Sequence, residues 1–181
     1  MLRTGITKPA LWLLPLLACS LSGCGLTQSV TESSKSAFSS VFYKQINQLH
    51  LDFTAREALN TDARENNSLS EPVAIRVYQL RDRKSFDKTV YQQLLKEGDT
   101  VLQADLLASR DAIVKPGGDV SLDMPMEADA RFVAVAGLFR HPDTINNSWK
   151  LVLSRDDLDP DKPRIIEAGD RALTLMPVKV E

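Results

Sequence analysis

The chain has 181 residues, a formal net charge of −2 and two cysteines. A slightly acidic chain without a basic run is a poor candidate for nucleic-acid binding, so we expect no nucleic-acid partner. Without its first 23 residues, the remaining 158 carry 20 basic and 24 acidic groups, a net charge of −4. That length suits one domain with its own core.

The N-terminus has the three regions of a secretory signal peptide. A basic start precedes the apolar run 10–18, which is too short to cross a bilayer as a helix. Residues 21–24, Leu-Ser-Gly-Cys, then match a lipobox, where small residues permit cleavage and the cysteine thiol accepts a diacylglycerol. We therefore predict a signal peptide at 1–23 and lipidation of Cys24. The alternative is an ordinary secretory signal followed by a chance cysteine.

Lipidation leaves no cysteine for the folded domain. Cys19 departs with the leader and Cys24 is acylated, which excludes a disulfide, a thiolate nucleophile and a cysteine zinc site. Two or three acyl chains anchor a protein stably. Gly25 favours the outer membrane, since Asp at this position retains enterobacterial lipoproteins in the inner membrane. Residues 24–45 are predicted to form a lipid-anchored tether, and 46–181 a folded domain.

Beyond the tether, the sequence pattern is mainly that of β-strands. Residues 49–56 alternate strictly between apolar and polar, which is typical of a strand with one buried face. Residues 132–139 are apolar on both faces, which predicts a central strand with Phe132 in the core. Trp149 is predicted to be a second core aromatic. The remaining predicted strands are 73–80, 106–114, 119–124, 148–154, 164–168 and 171–180, and the 132–139 run belongs to a strand at 131–140.

One segment has helical spacing. Its apolar positions are Phe86, Val90, Tyr91, Leu94 and Leu95. They predict one amphipathic helix of about three turns, with Ser85 as its N-cap and Gly98 at its end. Eight short strands and a helix laid on a sheet predict an all-β sandwich.

Candidate catalytic and metal-binding groups are few. His50 and His141 lack a partner serine or metal-ligand spacing, and both are predicted to be surface residues. The acidic segment 156–161 is a candidate calcium loop, but it lacks the glycine and distal glutamate of an EF-hand, which favours a solvated turn. No carboxylate pair has a recognisable catalytic setting. The residues thus predict that the protein is an anchored binding module and not an enzyme. No cofactor or metal is expected.

An ordered set of motifs resembles the type VI secretion lipoprotein family, TssJ. Residues 71–80, Glu-Pro-Val-Ala-Ile-Arg-Val-Tyr-Gln-Leu, are similar to the family motif Pro-Val-x-(Ile/Val)-Arg-x-Tyr-Gln-Leu, which is followed by a Phe-led helix. Further matching segments follow in the family's order: Phe86, Leu94, Asp105–Leu107, Lys115–Gly117, Val133–Ala136, Phe139–Arg140 and Trp149. The resemblance extends from about Leu49 to the C-terminus.

The resemblance implies a transthyretin-like, eight-stranded β-sandwich with one or two short helices, carried by an outer-membrane lipoprotein that faces the periplasm. The implied partner is the periplasmic domain of TssM, an inner-membrane protein that works with TssL in the complex on which the contractile tail docks. The implied role is a structural clamp between TssM and the outer membrane.

The sequence leaves two alternatives open. A carrier with a small ligand inside its sandwich would be favoured by a sizeable apolar pocket with convergent polar groups. A periplasmic hydrolase would need a nucleophile and a base, which the sequence does not suggest.

The segment between the first two predicted strands is the predicted partner site. Its fifteen residues, 57–71, exceed the roughly two to five that a tight hairpin needs. Composition alone favours a solvated, mobile loop, whereas the resemblance implies that this loop contacts TssM. Either Leu59 or Leu69 is expected to be its apolar anchor. The predicted contact residues are Leu59, Asn60, Asp62, Arg64, Glu65, Asn66, Leu69 and Ser70.

Overall fold

The computed structural model describes residues 45–62, 64 and 69–178. The predicted signal peptide, Cys24 and all of the predicted tether before residue 45 therefore lie outside the described residues. Residues 63, 65–68 and 179–181 lie outside them as well. In the described part, no helix is long and apolar enough to cross a membrane.

In the described part of the chain, eight strands form two four-stranded sheets. The first sheet has the order β4-β1-β7-β8 and the second the order β3-β2-β5-β6. The predicted all-β sandwich is confirmed, and the predicted strand positions agree closely except near the C-terminus, where a three-residue strand replaces the longer prediction. The strands are β1 (Gln48–Ala55), β2 (Val73–Leu80), β3 (Leu106–Val114), β4 (Asp119–Pro125), β5 (Phe132–Leu138), β6 (Lys150–Ser154), β7 (Arg164–Ala168) and β8 (Leu173–Leu175).

β1 lies inside the first sheet. Leu49, Leu51 and Phe53 are buried in the core, and the polar residues between them are half-buried on the outer face. The strand pairs antiparallel with β4, where Leu51 lies opposite Leu122, and parallel with β7. The strict alternation of the sequence thus corresponds to one face in the core and one face outside.

β5 is an interior strand, as predicted, because it pairs with β2 on one side and β6 on the other. The prediction that Phe132 is a core residue is wrong. Its ring is only half-buried, and the guanidinium groups of Arg83 and Arg131 lie 6.0 and 5.9 Å from its centroid. Trp149 is fully buried, as predicted, although it precedes β6 by one residue. Its ring packs edge-on against Tyr91 at 5.1 Å.

The predicted single helix is two helices, α1 (Lys84–Lys88) and α2 (Tyr91–Leu102). Three of the five predicted apolar positions are buried, as expected. Val90, which lies between the helices, is 63% exposed and Leu95 is 38% exposed. A 3₁₀ turn, Arg155–Asp157, follows β6.

A lysine from β6 accounts for the break between the helices. The Lys150 ammonium donates hydrogen bonds to the carbonyls of Phe86, Asp87 and Thr89 at 3.0, 2.9 and 2.9 Å. A cation at these carbonyls stabilises a helix C-terminus. Thr89 is accordingly extended, with φ −70° and ψ 131°, and α1 ends there.

Ser85 does not cap the helix as predicted, whereas Gly98 lies directly after a break in the helix. Ser85 lies inside α1, where its hydroxyl donates to the Asp105 carboxylate at 2.9 Å. Gly98 lies inside α2, where an added Cβ would be 2.5 Å from the Tyr78 hydroxyl. The backbone of Glu97 is non-helical, with φ −137° and ψ 28°, so α2 is interrupted directly before Gly98. Close packing of α2 on β2 also requires a glycine at this position.

Candidate partner interface

Four loops meet at one end of the sandwich, which we call the loop end. They are residues 56–72, 115–118, 139–149 and 169–172, and backbone hydrogen bonds join them to the strand ends and to each other. The described chain begins at Gln45, at the opposite end, because β1 runs from there to the loop end. An extended strand of eight residues has a length of about 25 Å, which separates the two ends.

The base of the 56–72 loop is part of the folded core. Leu59 is fully buried, so its side chain is not available as the predicted apolar anchor. Asn60 is 4% exposed and has a left-handed backbone, with φ 52°. Its amide nitrogen donates to the Pro72 carbonyl at 3.2 Å, and its amide oxygen accepts from the Arg140 N–H at 2.7 Å. Asn60 therefore closes the loop base.

The next two residues join this loop to its neighbours. The Thr61 hydroxyl and N–H both donate to Asp170 Oδ1, at 2.6 and 2.8 Å. Asp62 Oδ2 lies 2.9 Å from His141 Nε2, and Asp62 Oδ1 accepts the Arg64 N–H at 3.0 Å. The Arg64 amide and then the His141 side chain lower the pKa of the Asp62 carboxyl. The carboxylate form thus predominates at neutral pH.

The exposed part of the predicted site lies farther along the loop. Leu69 is 72% exposed, Arg64 is exposed and Ser70 is half-buried. Glu65 and Asn66 lie outside the described residues. Of the two apolar anchors predicted for the loop, Leu69 is therefore the one with an accessible side chain.

The 139–149 loop is a feature that the sequence analysis missed. Asp143 accepts hydrogen bonds from the Ile145 and Asn146 N–H groups, both at 3.1 Å, and from the Asn146 amide and Ser148 hydroxyl at 2.9 and 2.8 Å. These donors, led by Asn146, lower the pKa of Asp143 to about 2. Asn147 has a left-handed backbone, with φ 53°. The sequence does contain a signal for this turn, because Pro142-Asp143 and, after two intervening residues, Asn146-Asn147-Ser148 are residue types that favour turns.

The two loops are connected directly. Besides the Asn60 and Asp62 contacts, Arg140 Nη1 lies 3.3 Å from Glu71 Oε1. The Asp143 N–H also donates to the Arg171 carbonyl at 3.2 Å, which joins the fourth loop. The loop end is thus a hydrogen-bonded assembly.

Both histidines pair with carboxylates, which their sequence positions did not indicate. His50 Nδ1 lies 2.6 Å from Asp123 Oδ1 on the outer face of the first sheet, and His141 pairs with Asp62 at the loop end. In the acidic segment, Asp159 accepts the backbone N–H groups of Asp161 and Lys162 at 2.8 and 3.1 Å. Within the described residues, no three or more His, Cys, Asp or Glu side chains are grouped to hold a metal ion.

An open cleft of about 510 Å³ lies beside α2, β2 and β3. Charged side chains of both signs line it, among them Arg76, Lys96, Asp99 and Asp111. The Tyr78 hydroxyl lies beneath Gly98 and is fully buried, so it does not open into the cleft. The cleft lacks the apolar lining that the carrier alternative requires.

Residues 47–174 match the family model described as "Type VI secretion lipoprotein, VasD, EvfM, TssJ". The match covers the sandwich from the residue before β1 to the middle of β8. No curated protein matches the chain.

Solved structures agree with this match. The chain is 44% identical to a chain in a structure described as the type VI TssM C-terminal domain from EAEC, with TM-score 0.66 and coverage of 74% of this chain and 100% of that one. The chain is 45% identical to a chain in a structure described as "Type VI membrane complex". The TM-score is 0.68, and the match covers 74% of this chain and 100% of that one. Serratia marcescens Lip, described as a membrane-bound component of the type VI system, is 22% identical to the chain, with TM-score 0.64. The match covers 72% of this chain and 98% of Lip, and at this identity it shows the fold alone.

Proposed function

Because the chain belongs to the type VI secretion lipoprotein family, we propose that it is a component of the type VI membrane complex and binds the periplasmic, C-terminal domain of TssM. The family consists of structural secretion-system lipoproteins and is not an enzyme family. The observation that carries the proposal is the 44–45% identity to chains in structures described as the TssM C-terminal domain and the membrane complex.

The proposed TssM-binding surface is the loop end, with the 56–72 loop as its main contact. Leu69 is the apolar anchor, and Leu59 and Asn60 hold the loop base in place from inside the domain. Asp62 and Ser70 are half-buried and reach the surface only in part. The proposed direct contacts are Asp62, Arg64, Glu65, Asn66, Leu69 and Ser70.

We propose that Cys24 carries the lipid anchor and that the anchor lies in the outer membrane. Gly25 supports this sorting, since this position holds a glycine and not the aspartate that retains enterobacterial lipoproteins in the inner membrane. The described domain begins about 25 Å from the loop end, one strand length away. A domain whose described N-terminal end and proposed partner site lie at opposite ends of β1 suits a clamp between membrane and TssM, with no catalytic turnover.

The partner assignment is tested by replacing residues 64–69 with a Gly/Ser segment of equal length. This change leaves Leu59, Asn60 and Asp62 in place, so the loop base keeps its hydrogen bonds. The control is the same replacement at 159–162, a turn at the opposite end. Binding of the full-length lipoprotein in detergent to the TssM C-terminal domain is measured by biolayer interferometry. We expect at least about tenfold weaker binding for the loop variant and no change for the control.

Equal affinity of the loop variant and the control would exclude the loop as the main contact. Absence of binding by the wild-type lipoprotein would exclude the TssM assignment itself.

The membrane assignment is tested by Gly25→Asp. We expect the wild-type protein and the Gly25→Ser control to sediment with outer-membrane markers in a sucrose gradient, and Gly25→Asp to move to the inner-membrane fraction. Wild-type protein in the inner-membrane fraction would contradict the proposal.

A further inference from the structure

We propose that the 139–149 loop is a second arm of the TssM-binding surface, with Ile145 as its apolar anchor. This inference rests on the proposed function, because it assigns a further contact to the same partner.

Ile145 is presented on an ordered turn. Its side chain is 91% exposed, more than any other large apolar side chain in the described part of the chain. Its backbone is held by Asp143, which accepts hydrogen bonds from two successive N–H groups and two side chains. A side chain on a preorganised loop loses little conformational freedom on binding, so more of its burial contributes to affinity.

The 139–149 loop is continuous with the 56–72 loop. The Arg140 N–H donates to Asn60, and His141 pairs with Asp62 at 2.9 Å. Both loops therefore belong to one hydrogen-bonded surface at the end opposite to the start of the described chain. A partner that covers Leu69 meets the second loop beside it.

The surface defines the chemistry of the partner face. Two exposed aliphatic side chains, Leu69 and Ile145, project from a rim of polar groups of both signs, including Arg64, Glu71 and Asp170. The matching face has apolar sockets surrounded by hydrogen-bonding groups, as in the core and rim of ordinary protein interfaces. We therefore expect the TssM C-terminal domain to enclose Ile145 in an apolar socket.

The test is Ile145→Asp in the full-length lipoprotein, extracted in detergent and titrated against the TssM C-terminal domain. A carboxylate placed in an apolar socket is desolvated without a partner, so we expect at least about tenfold weaker binding. Val178→Asp is the matched control, since Val178 is 60% exposed and follows β8 at the opposite end. Ile145→Ala adds a smaller change with no new charge, and we expect an intermediate loss of affinity.

Leu69→Asp separates this inference from the proposed function. Weaker binding of both Ile145 variants, with Val178→Asp at wild-type affinity, supports the second arm. Weaker binding of Leu69→Asp alone overturns the second arm and leaves the proposed function in place. Unchanged binding of all variants overturns the loop end as the interface, and absence of wild-type binding overturns both proposals. Circular dichroism of each variant establishes that its fold is intact.

Discussion

Replacement of Asn60 by alanine would show how far the 56–72 loop depends on one buried amide. In the folded protein this side chain donates to the Pro72 carbonyl and accepts the Arg140 N–H, at 3.2 and 2.7 Å. Alanine removes both hydrogen bonds and places a side chain with no polar group at a left-handed backbone position, φ 52°. The Pro72 carbonyl and the Arg140 N–H then each lose Asn60 as a hydrogen-bond partner.

The expected loss follows from these three effects. Each buried backbone group that loses its partner costs about 1–3 kcal/mol. A left-handed backbone costs an alanine about 1–2 kcal/mol. Because effects at neighbouring groups add incompletely when the loop relaxes around them, we expect Asn60→Ala to lower the free energy of unfolding by about 3–5 kcal/mol. For a domain of this size, each kcal/mol corresponds to about 2–4 °C in Tm.

Urea unfolding followed by tryptophan fluorescence measures this loss. After removal of the leader, which contains Trp12, Trp149 is the remaining tryptophan, and it is fully buried. Asn60→Gly is the matched control, because glycine loses both hydrogen bonds but adopts a positive φ without strain. We expect the glycine variant to be more stable than the alanine variant by about 1 kcal/mol. An alanine variant within about 1 kcal/mol of wild type, below even one lost hydrogen bond, would refute the reasoning.

Cys24→Ser is expected to abolish acylation, because a serine hydroxyl does not replace the thiol in thioether formation; palmitate labelling that persists in the variant would contradict the predicted lipobox. Trp149→Ala removes a buried ring and its edge-on contact with Tyr91, so it should cost about 3–5 kcal/mol in urea unfolding, and an unchanged Tm would contradict this. The pKa of Asp143 in the folded protein, about 2, is below its ordinary value of 3.8, so its stabilising contribution is present above about pH 4 and is lost as the pH falls toward 2. Asp143→Asn should flatten the stability profile in that window, and an NMR carboxyl titration with a midpoint near 3.8 in the wild type would refute the assignment.

The strands were largely predictable from the sequence, whereas the helical segment was not. β1, β2, β3 and β7 were found within a residue at each end, because alternation or apolar runs directly reflect burial on a sheet. The break between the helices depends on Lys150, which contacts carbonyls more than 60 residues earlier in the chain. The sequence of residues 84–102 gives no local sign of that contact, so the spacing of its apolar residues predicted one continuous helix.

The long loop after β1 was predictable from the sequence, but the division between its buried base and its exposed part was not. The length of 57–71 identified the loop, but composition did not distinguish its buried base from its exposed part. Leu59 and Asn60 are held by contacts with residues 12 to 110 positions away, including Pro72, Arg140 and Asp170. The 139–149 loop was not predicted as a surface because its one large aliphatic residue, Ile145, gives no local sign in the sequence that it is 91% exposed.

The order of the elements would give the proposed clamp a direct mechanical connection. β1 begins three residues after the described chain does and ends five residues before Asn60. Near its start, the Ile46 carbonyl accepts a hydrogen bond from Arg155 at 2.7 Å, and near its end Asn60 is held on two sides. A β-strand already rises about 3.3 Å per residue, close to the maximum for a polypeptide, so tension between anchor and partner lengthens it little. Since β1 is also paired on both edges, a pull between the start of the described chain and the 56–72 loop would be carried along one extended backbone, and the rest of the sandwich holds that strand in place.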